Sequence, residues 1–143
     1  MISEAMRRFI EGSPLVYVAS ADAEGYPHMA AGNHLTVSNE SLLVFENWFC
    51  PVTLHNIARN SHVAVVVAAP GWESGYQLVG RVVKPHEDEV LTEYHTESTA
   101  AETAPALTRF VVRVEKIMEF STGIHFDIPI PPGSPFQPAG RLG

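Results

Sequence analysis

Apolar and polar positions along this chain fall into short blocks whose period changes from helical to alternating and back. Ile2, Met6, Phe9 and Ile10 recur at helical spacing behind Ser3 and ahead of Gly12. A serine suits the cap and a glycine the stop, so the spacing predicts an amphipathic helix over residues 2–11. Residues 15–20 are rich in β-branched and aromatic side chains and predict a strand. Residues 22–27 carry turn chemistry, with Gly25 free to take positive φ. Residues 28–37 read as one strand. Its alternation sets Met29, Ala31, Asn33, Leu35 and Val37 on one face, and His28, Ala30, Gly32, His34 and Thr36 on the other. Residues 38–41 suit a hairpin turn into a strand over 42–45.

A loop over 46–50 then leads to a short helix that Pro51 can open, with Leu54, Ile57 and Ala58 as its apolar face. Residues 62–69 are almost all Val and Ala, which predicts a strand buried on both faces. Residues 76–84 form the next strand. Residues 87–103 predict the longest helix, with acids at its start and Val90, Leu91, Tyr94 and Ser98 along one side. The last strand spans 107–120, where Phe110, Val112 and Val114 alternate against Arg109, Val111 and Arg113. Six strands joined mostly by tight turns predict a mainly β (α+β) fold, a six-stranded antiparallel split β-barrel whose short flanking helices plug its edges. The barrel takes residues 1–127. Residues 128–143 hold Pro129, Pro131, Pro132, Pro135 and Pro138 and exclude a regular helix or central strand. The tail reads either as a frayed chain end or, because Ile128, Ile130 and Phe136 would otherwise sit in water, as an arm laid across a partner subunit.

Composition narrows the function more than the fold. The 143 residues carry 16 acids against nine Lys and Arg, a formal charge of −7, and only Arg7 and Arg8 adjoin among the bases. Such a chain lacks the basic surface that nucleic acid requires. One cysteine, Cys50, excludes an intrachain disulfide. No apolar run reaches the roughly 20 residues of a membrane span, and the N-terminus lacks the order of a signal peptide. A single cytoplasmic domain is the expectation.

The stretch over 16–20 followed by Gly25-Tyr-Pro-His28 resembles the first hairpin of the pyridoxamine 5'-phosphate oxidase-like FMN-binding split-barrel family. Residues 42–45, 53–60, 63–67 and 75–80 are similar to its third strand, phosphate-side helix, fourth strand and fifth strand, in that order. The resemblance implies a homodimer with FMN at the subunit interface, and either an oxidoreductase or a small flavin electron carrier. It also implies the cofactor contacts: Ala31, Gly32 and Asn33 from the second strand, Glu46, Asn47 and Trp48 after the third, Val52 and Thr53 at the helix start, and Gln77 from the fifth. Helix N-termini bind phosphate through unpaired N–H groups, Thr53 adds a hydroxyl donor, and Asn33 and Gln77 suit the polar edge of a flavin. Many family members carry Arg-Lys where this chain has Val52-Thr53. Arg81, Lys84, Arg109, Arg113 or a partner's arginine would have to compensate. The C-terminal Arg and His signature of true pyridoxamine phosphate oxidases is absent, so the vitamin-B6 reaction is not expected. A deazaflavin (F420) or haem ligand, and a non-enzymatic dimeric binding module with a decayed site, are the alternatives.

No catalytic acid or base is assigned, because in such sites the flavin ring itself transfers the electrons. Trp48 is expected to stack on the ring, and Trp72 to close a loop. Cys50, near a helix start, defaults to packing. His28 and His34 read as a polar strand face, and His86, Glu87 and His95 lack the i, i+4 spacing of a helical metal pair, so no metal site is expected.

Overall fold

The computed structural model describes residues 1–33, 35–69, 71, 73–84, 109–124 and 126–131. Its elements are α1 (Glu4–Glu11), β1 (Val16–Ala21), β2 (Pro27–Gly32), β3 (Leu35–Asn39), β4 (Leu42–Phe45), α2 (Pro51–Arg59), β5 (His62–Ala68), β6 (Ser74–Val82) and β7 (Phe110–Ser121). The strands make one antiparallel sheet in the order β2-β1-β5-β6-β7-β4-β3. The predicted helix over 87–103 and the tail beyond 131 lie outside the described residues.

Seven strands replace the expected six because residues 28–37 are not one strand. β2 pairs with β1 and β3 with β4, so the two halves occupy opposite edges of the sheet. Gly32 and Leu35 are three residues apart and lie at most about 11 Å from each other. A flat sheet would separate its outer strands by about 29 Å, six spacings of about 4.8 Å. The sheet therefore has to curl into a split barrel. The break also reverses the faces: Met29 and Ala31 are exposed while Leu35 and Val37 are buried. His28 is half-buried on the inward face of β2, while Thr36 is exposed on β3, so they do not share the expected polar face.

The interior is a layer of aliphatic side chains from alternate positions, including Val18, Val65, Leu78 and Val112, all at 0% exposure. Each such burial contributes about 1.5–3 kcal/mol. β5 is buried at consecutive positions only at its end, Val67 and Ala68; before that it alternates, with Val63 and Val65 pointing inward and Ala64 and Val66 half-buried on the outer side. Leu42, Val44, Val83 and Val111 form a second cluster behind β4 and β7.

The helices serve the edges as expected. Ser3 caps α1 by accepting from the Met6 N–H at 3.2 Å, and Met6 and Ile10 are buried. At the far end of α1, Glu11 Oε2 accepts from the Val37 N–H at 2.8 Å, which satisfies a donor on edge strand β3. After β7 the chain turns back: Pro129 bridges to Met118, the Ile130 N–H donates to the Ile117 carbonyl at 2.8 Å, and Ile130 packs on the core. Ile130 therefore needs no partner subunit to cover it, whereas Ile128 is exposed.

Opposite β6, β7 holds one extra residue. The register passes from Val79↔Lys116 to Gly80↔Val114, leaving Glu115 to bulge out and take Arg81 Nε at 3.2 Å. A Cβ on Gly80 would run into the Arg113 carbonyl. Gly80→Ala should therefore lower stability by about 1–3 kcal/mol through overpacking. A urea midpoint equal to that of the parent chain would contradict this account of the bulge.

Candidate functional site

α2 begins without a conventional cap. Pro51 takes the first position, Cys50 is the N-cap residue, and no side chain closes the N-terminal turn with a capping hydrogen bond. The N–H groups there are partial positive charges that no protein oxygen claims through a cap. Thr53, in this first turn, is fully buried, and its Oγ1 makes no hydrogen bond. A buried hydroxyl without a partner costs about 1–3 kcal/mol, which marks the position as one built for an acceptor.

α2 lies against β1 and β2. Its buried side chains are Thr53 and Asn56 rather than the apolar face expected from Leu54, Ile57 and Ala58. Leu54 and Ile57 are half-buried against the core, and Ala58 is exposed. Asn56 Nδ2 donates to Ser20 Oγ at 3.1 Å, locking the helix to β1. Hydrophobic periodicity could not find these two residues, because polar side chains do the inward packing.

Cys50 is half-buried beside the same donors. Burial pushes its thiol up, but the Thr53 hydroxyl and the N–H groups of Thr53 and Val52 favour the thiolate more, and the net pKa falls below the ordinary thiol value. The sulfur is therefore within the influence of the helix start without forming a well-aligned bond to it.

The predicted contacts distribute over three places. Ala31, Gly32 and Asn33 lie at the end of β2; Ala31 and Asn33 are exposed. Gly32 touches the loop, since a Cβ there would overlap the Trp48 ring. The space that Gly32 leaves is thus filled by this indole and not open to a ligand. Trp48 itself is 2% exposed, edge-on to Phe45 at 5.4 Å and to Phe110 at 5.9 Å, so it has no free face for stacking. Asn47 is exposed in a left-handed conformation at φ 59°, and Glu46 pairs with Arg109 at 3.5 Å. The Phe45↔Phe110 register of β4 and β7 explains that pair, because it sets the flanking residues side by side. Val52 is exposed at the start of α2.

Gln77 stands apart from the loop but not from Ala31. Pairing runs Ala31↔Tyr17↔Val66↔Gln77 across β2, β1, β5 and β6, so all four share the outer face of the sheet. Ala31 and Gln77 are three strand spacings apart, about 14 Å. The parallel row Met29↔Ala19↔Ala64↔Val79 makes that face mostly apolar.

Three of the arginines have partners. Arg59 contacts the ring and carbonyl of His55, Arg81 pairs with Glu115, and Arg109 with Glu46. Among the described residues no cluster of His, Cys, Asp and Glu could hold a metal ion, and no helix is long and apolar enough to cross a membrane. His34 and Trp72 lie outside the described residues, as do His86, Glu87 and His95. A separate cavity of about 690 Å³, lined by Ile2, Met6, Ile117 and Ile130 among others, contains none of the predicted contacts and no orphaned donor. The start of α2 is the stronger candidate for that reason.

Comparison with known proteins adds three findings. The family model for pyridoxamine 5'-phosphate oxidase matches residues 2–120. No curated protein matches the chain significantly. Among solved structures, HupZ of Group A Streptococcus superposes with a TM-score of 0.67 at 20% identity, covering 88% of this chain and 99% of its own. An FMN-binding protein of Syntrophomonas wolfei gives 0.62 at 13%, covering 82% and 85%. An F420 reductase gives 0.54 at 19%, covering 81% and 98%. At these identities the likeness is one of fold.

Alkylation of Cys50 by iodoacetamide should reach half its maximal rate at a pH below that of an ordinary thiol. Thr53→Val removes a donor to the thiolate and should move that midpoint upward. A parent midpoint at or above the ordinary value would contradict the described setting of the sulfur.

Proposed function

The chain belongs to the pyridoxamine 5'-phosphate oxidase family, and from that membership we propose that it binds FMN with the phosphate at the start of α2. The observation that carries this reading is Thr53: a fully buried hydroxyl without a partner, in the first turn of an uncapped helix. Its O–H and the N–H groups of Val52 and Thr53 are donors suited to an anion. Bound there, the isoalloxazine supplies one- or two-electron transfer, and the protein orients it and limits its exposure. Ala31, the smallest side chain of its row with a Cβ, lets a flat ring approach the outer face, and Gln77 offers a donor and an acceptor on that face. Asn33 and Asn47 add exposed amides at the rim. Glu46, held by Arg109, presents a carboxylate there.

The apolar outer face supports the second part of the proposal, a homodimer that encloses the cofactor. Met29 is 61% exposed, and Tyr17, Ala19, Val66 and Val79 are half-buried beside it. A homodimer interface is the usual cover for such a surface. We place the protein in the cytoplasm, as an oxidoreductase or a flavin electron carrier without the vitamin-B6 reaction.

A deazaflavin is the second reading, favoured by Val52-Thr53 where many family members have Arg-Lys. A monoanionic phosphodiester needs less neutralisation than the dianionic phosphate of FMN. Parallel titrations with FMN and with the deazaflavin separate the two. FMN should bind at micromolar concentration or tighter with quenching of its fluorescence, and Thr53→Val should weaken it about tenfold, the effect of one hydrogen bond to a charged group. Binding of neither ligand at tens of micromolar would leave a non-enzymatic module. In sedimentation the protein should run at twice 15.6 kDa, and a monomer at tens of micromolar would remove the shared site.

A further inference from the structure

β7 is the longest strand, and β6 covers one of its edges along almost its full length. The other edge is shared. β4 runs along Phe110–Arg113, and the Ser41 carbonyl accepts from the Val114 N–H at 2.8 Å. The segment that turns back after β7 rejoins this edge only at Ile117, whose carbonyl takes the Ile130 N–H. The cavity of about 690 Å³ lies at the gap between these two neighbours. Ile2 and Met6 from the N-terminal end, Ile117 from β7 and Ile130 from the returning segment give it apolar walls. Its volume falls within the roughly 300–1,000 Å³ of small-molecule sites. The bulge of β7 sits at the same gap and leaves Glu115 and Lys116 exposed in succession, where plain alternation would have turned one of them inward.

The charges that line this cavity do not cancel. Glu40 is matched by the α-amino group of Met1 at 3.1 Å and Glu115 by Arg81 at 3.2 Å. Lys116 also lines the cavity and makes no ion pair among the described residues. One ammonium is therefore left over beside an apolar hollow, on a chain whose net charge is −7. We propose that this cavity binds a medium-chain aliphatic carboxylate, its hydrocarbon between Ile2, Met6, Ile117 and Ile130 and its single negative charge at Lys116. Burial of the hydrocarbon supplies most of the affinity, and the ammonium selects the anion over a neutral amphiphile. Glu40 and Glu115 disfavour a second negative charge on the ligand, so dicarboxylates and phosphates are rejected. None of the residues of the proposed flavin site lines the cavity, and this inference stands apart from that reading.

The test titrates the full chain by calorimetry with octanoate, decanoate and 1-octanol. Decanoate should bind with a Kd below about 1 mM, and affinity should rise about fourfold for each methylene added to octanoate, the effect of burying it. 1-Octanol should bind about threefold more weakly than octanoate. Lys116→Gln, a change at an exposed position, should remove that difference and leave octanol affinity as it is. A diazirine analogue of decanoic acid should place its adducts, mapped by peptide mass spectrometry, within residues 1–6, 115–117 or 129–131. No decanoate binding at millimolar concentration would overturn the proposal. So would octanol binding as tightly as octanoate, an equal loss of both in Lys116→Gln, or adducts on the outer sheet face around Met29. Two further results would give the cavity to another occupant and overturn it as well. One is a change in sedimenting mass on adding decanoate, which marks a second copy of the chain. The other is decanoate binding about tenfold tighter in Phe136→Ser, which marks the chain's own C-terminal segment.

Discussion

The two outermost strands of this sheet are neighbours in the chain, and that covalent constraint organises everything else. Gly32 ends one edge and Leu35 begins the other, so seven strands have to curl until those two corners lie within about 11 Å. The curl creates an inside, which the alternating valines fill, and an outside, which they do not. It also leaves a seam without ladder hydrogen bonds at β3. Glu11 closes part of it by accepting from the Val37 N–H, a role that also fixes α1 against that edge.

The same curl places the start of α2 beside the end of β2. Trp48 fills the space above Gly32 and so ties the 46–48 loop to that strand, while Asn56 ties the helix to Ser20. Between these two anchors the first turn of α2 has no side-chain cap, and its donors have the Cys50 sulfur beside them. The buried Asn56–Ser20 bond, worth about 0.5–1.5 kcal/mol, fixes the helix against β1. The orphaned Thr53 hydroxyl is the local cost of that arrangement, and its chemistry is the reason this end of the molecule is the candidate site.

Charge is the chain's departure from the usual way of holding a phosphate. The net −7 leaves few bases: Arg109 is paired with Glu46, Arg81 with Glu115, and Arg59, in the last turn of α2, contacts His55. At the proposed site, recognition would rest on N–H and hydroxyl donors, whose strength depends on the low dielectric around them. That makes the site sensitive to any competing acceptor, and the Cys50 sulfur is within reach of the same groups.

Local pattern determined most of the elements. The helix capped by Ser3, the turn at Gly25, the strand over 42–45, the helix opened by Pro51 and the alternation of Phe110, Val112 and Val114 were all legible, because each rests on contacts within a few residues. The family resemblance was legible for the same reason, in the order of those pieces. Tertiary structure decided the rest. Alternation continues unbroken through residues 28–37, so only long-range pairing could divide them and turn Met29 and Leu35 to opposite sides. Thr53 and Asn56 are polar, so only their surroundings reveal that they are buried. Trp48 could stack on a ligand or pack in a core, and the gap above Gly32 decides for the core. Sequence records what each residue prefers; which neighbour satisfies it depends on where the curl of the sheet brings distant segments together.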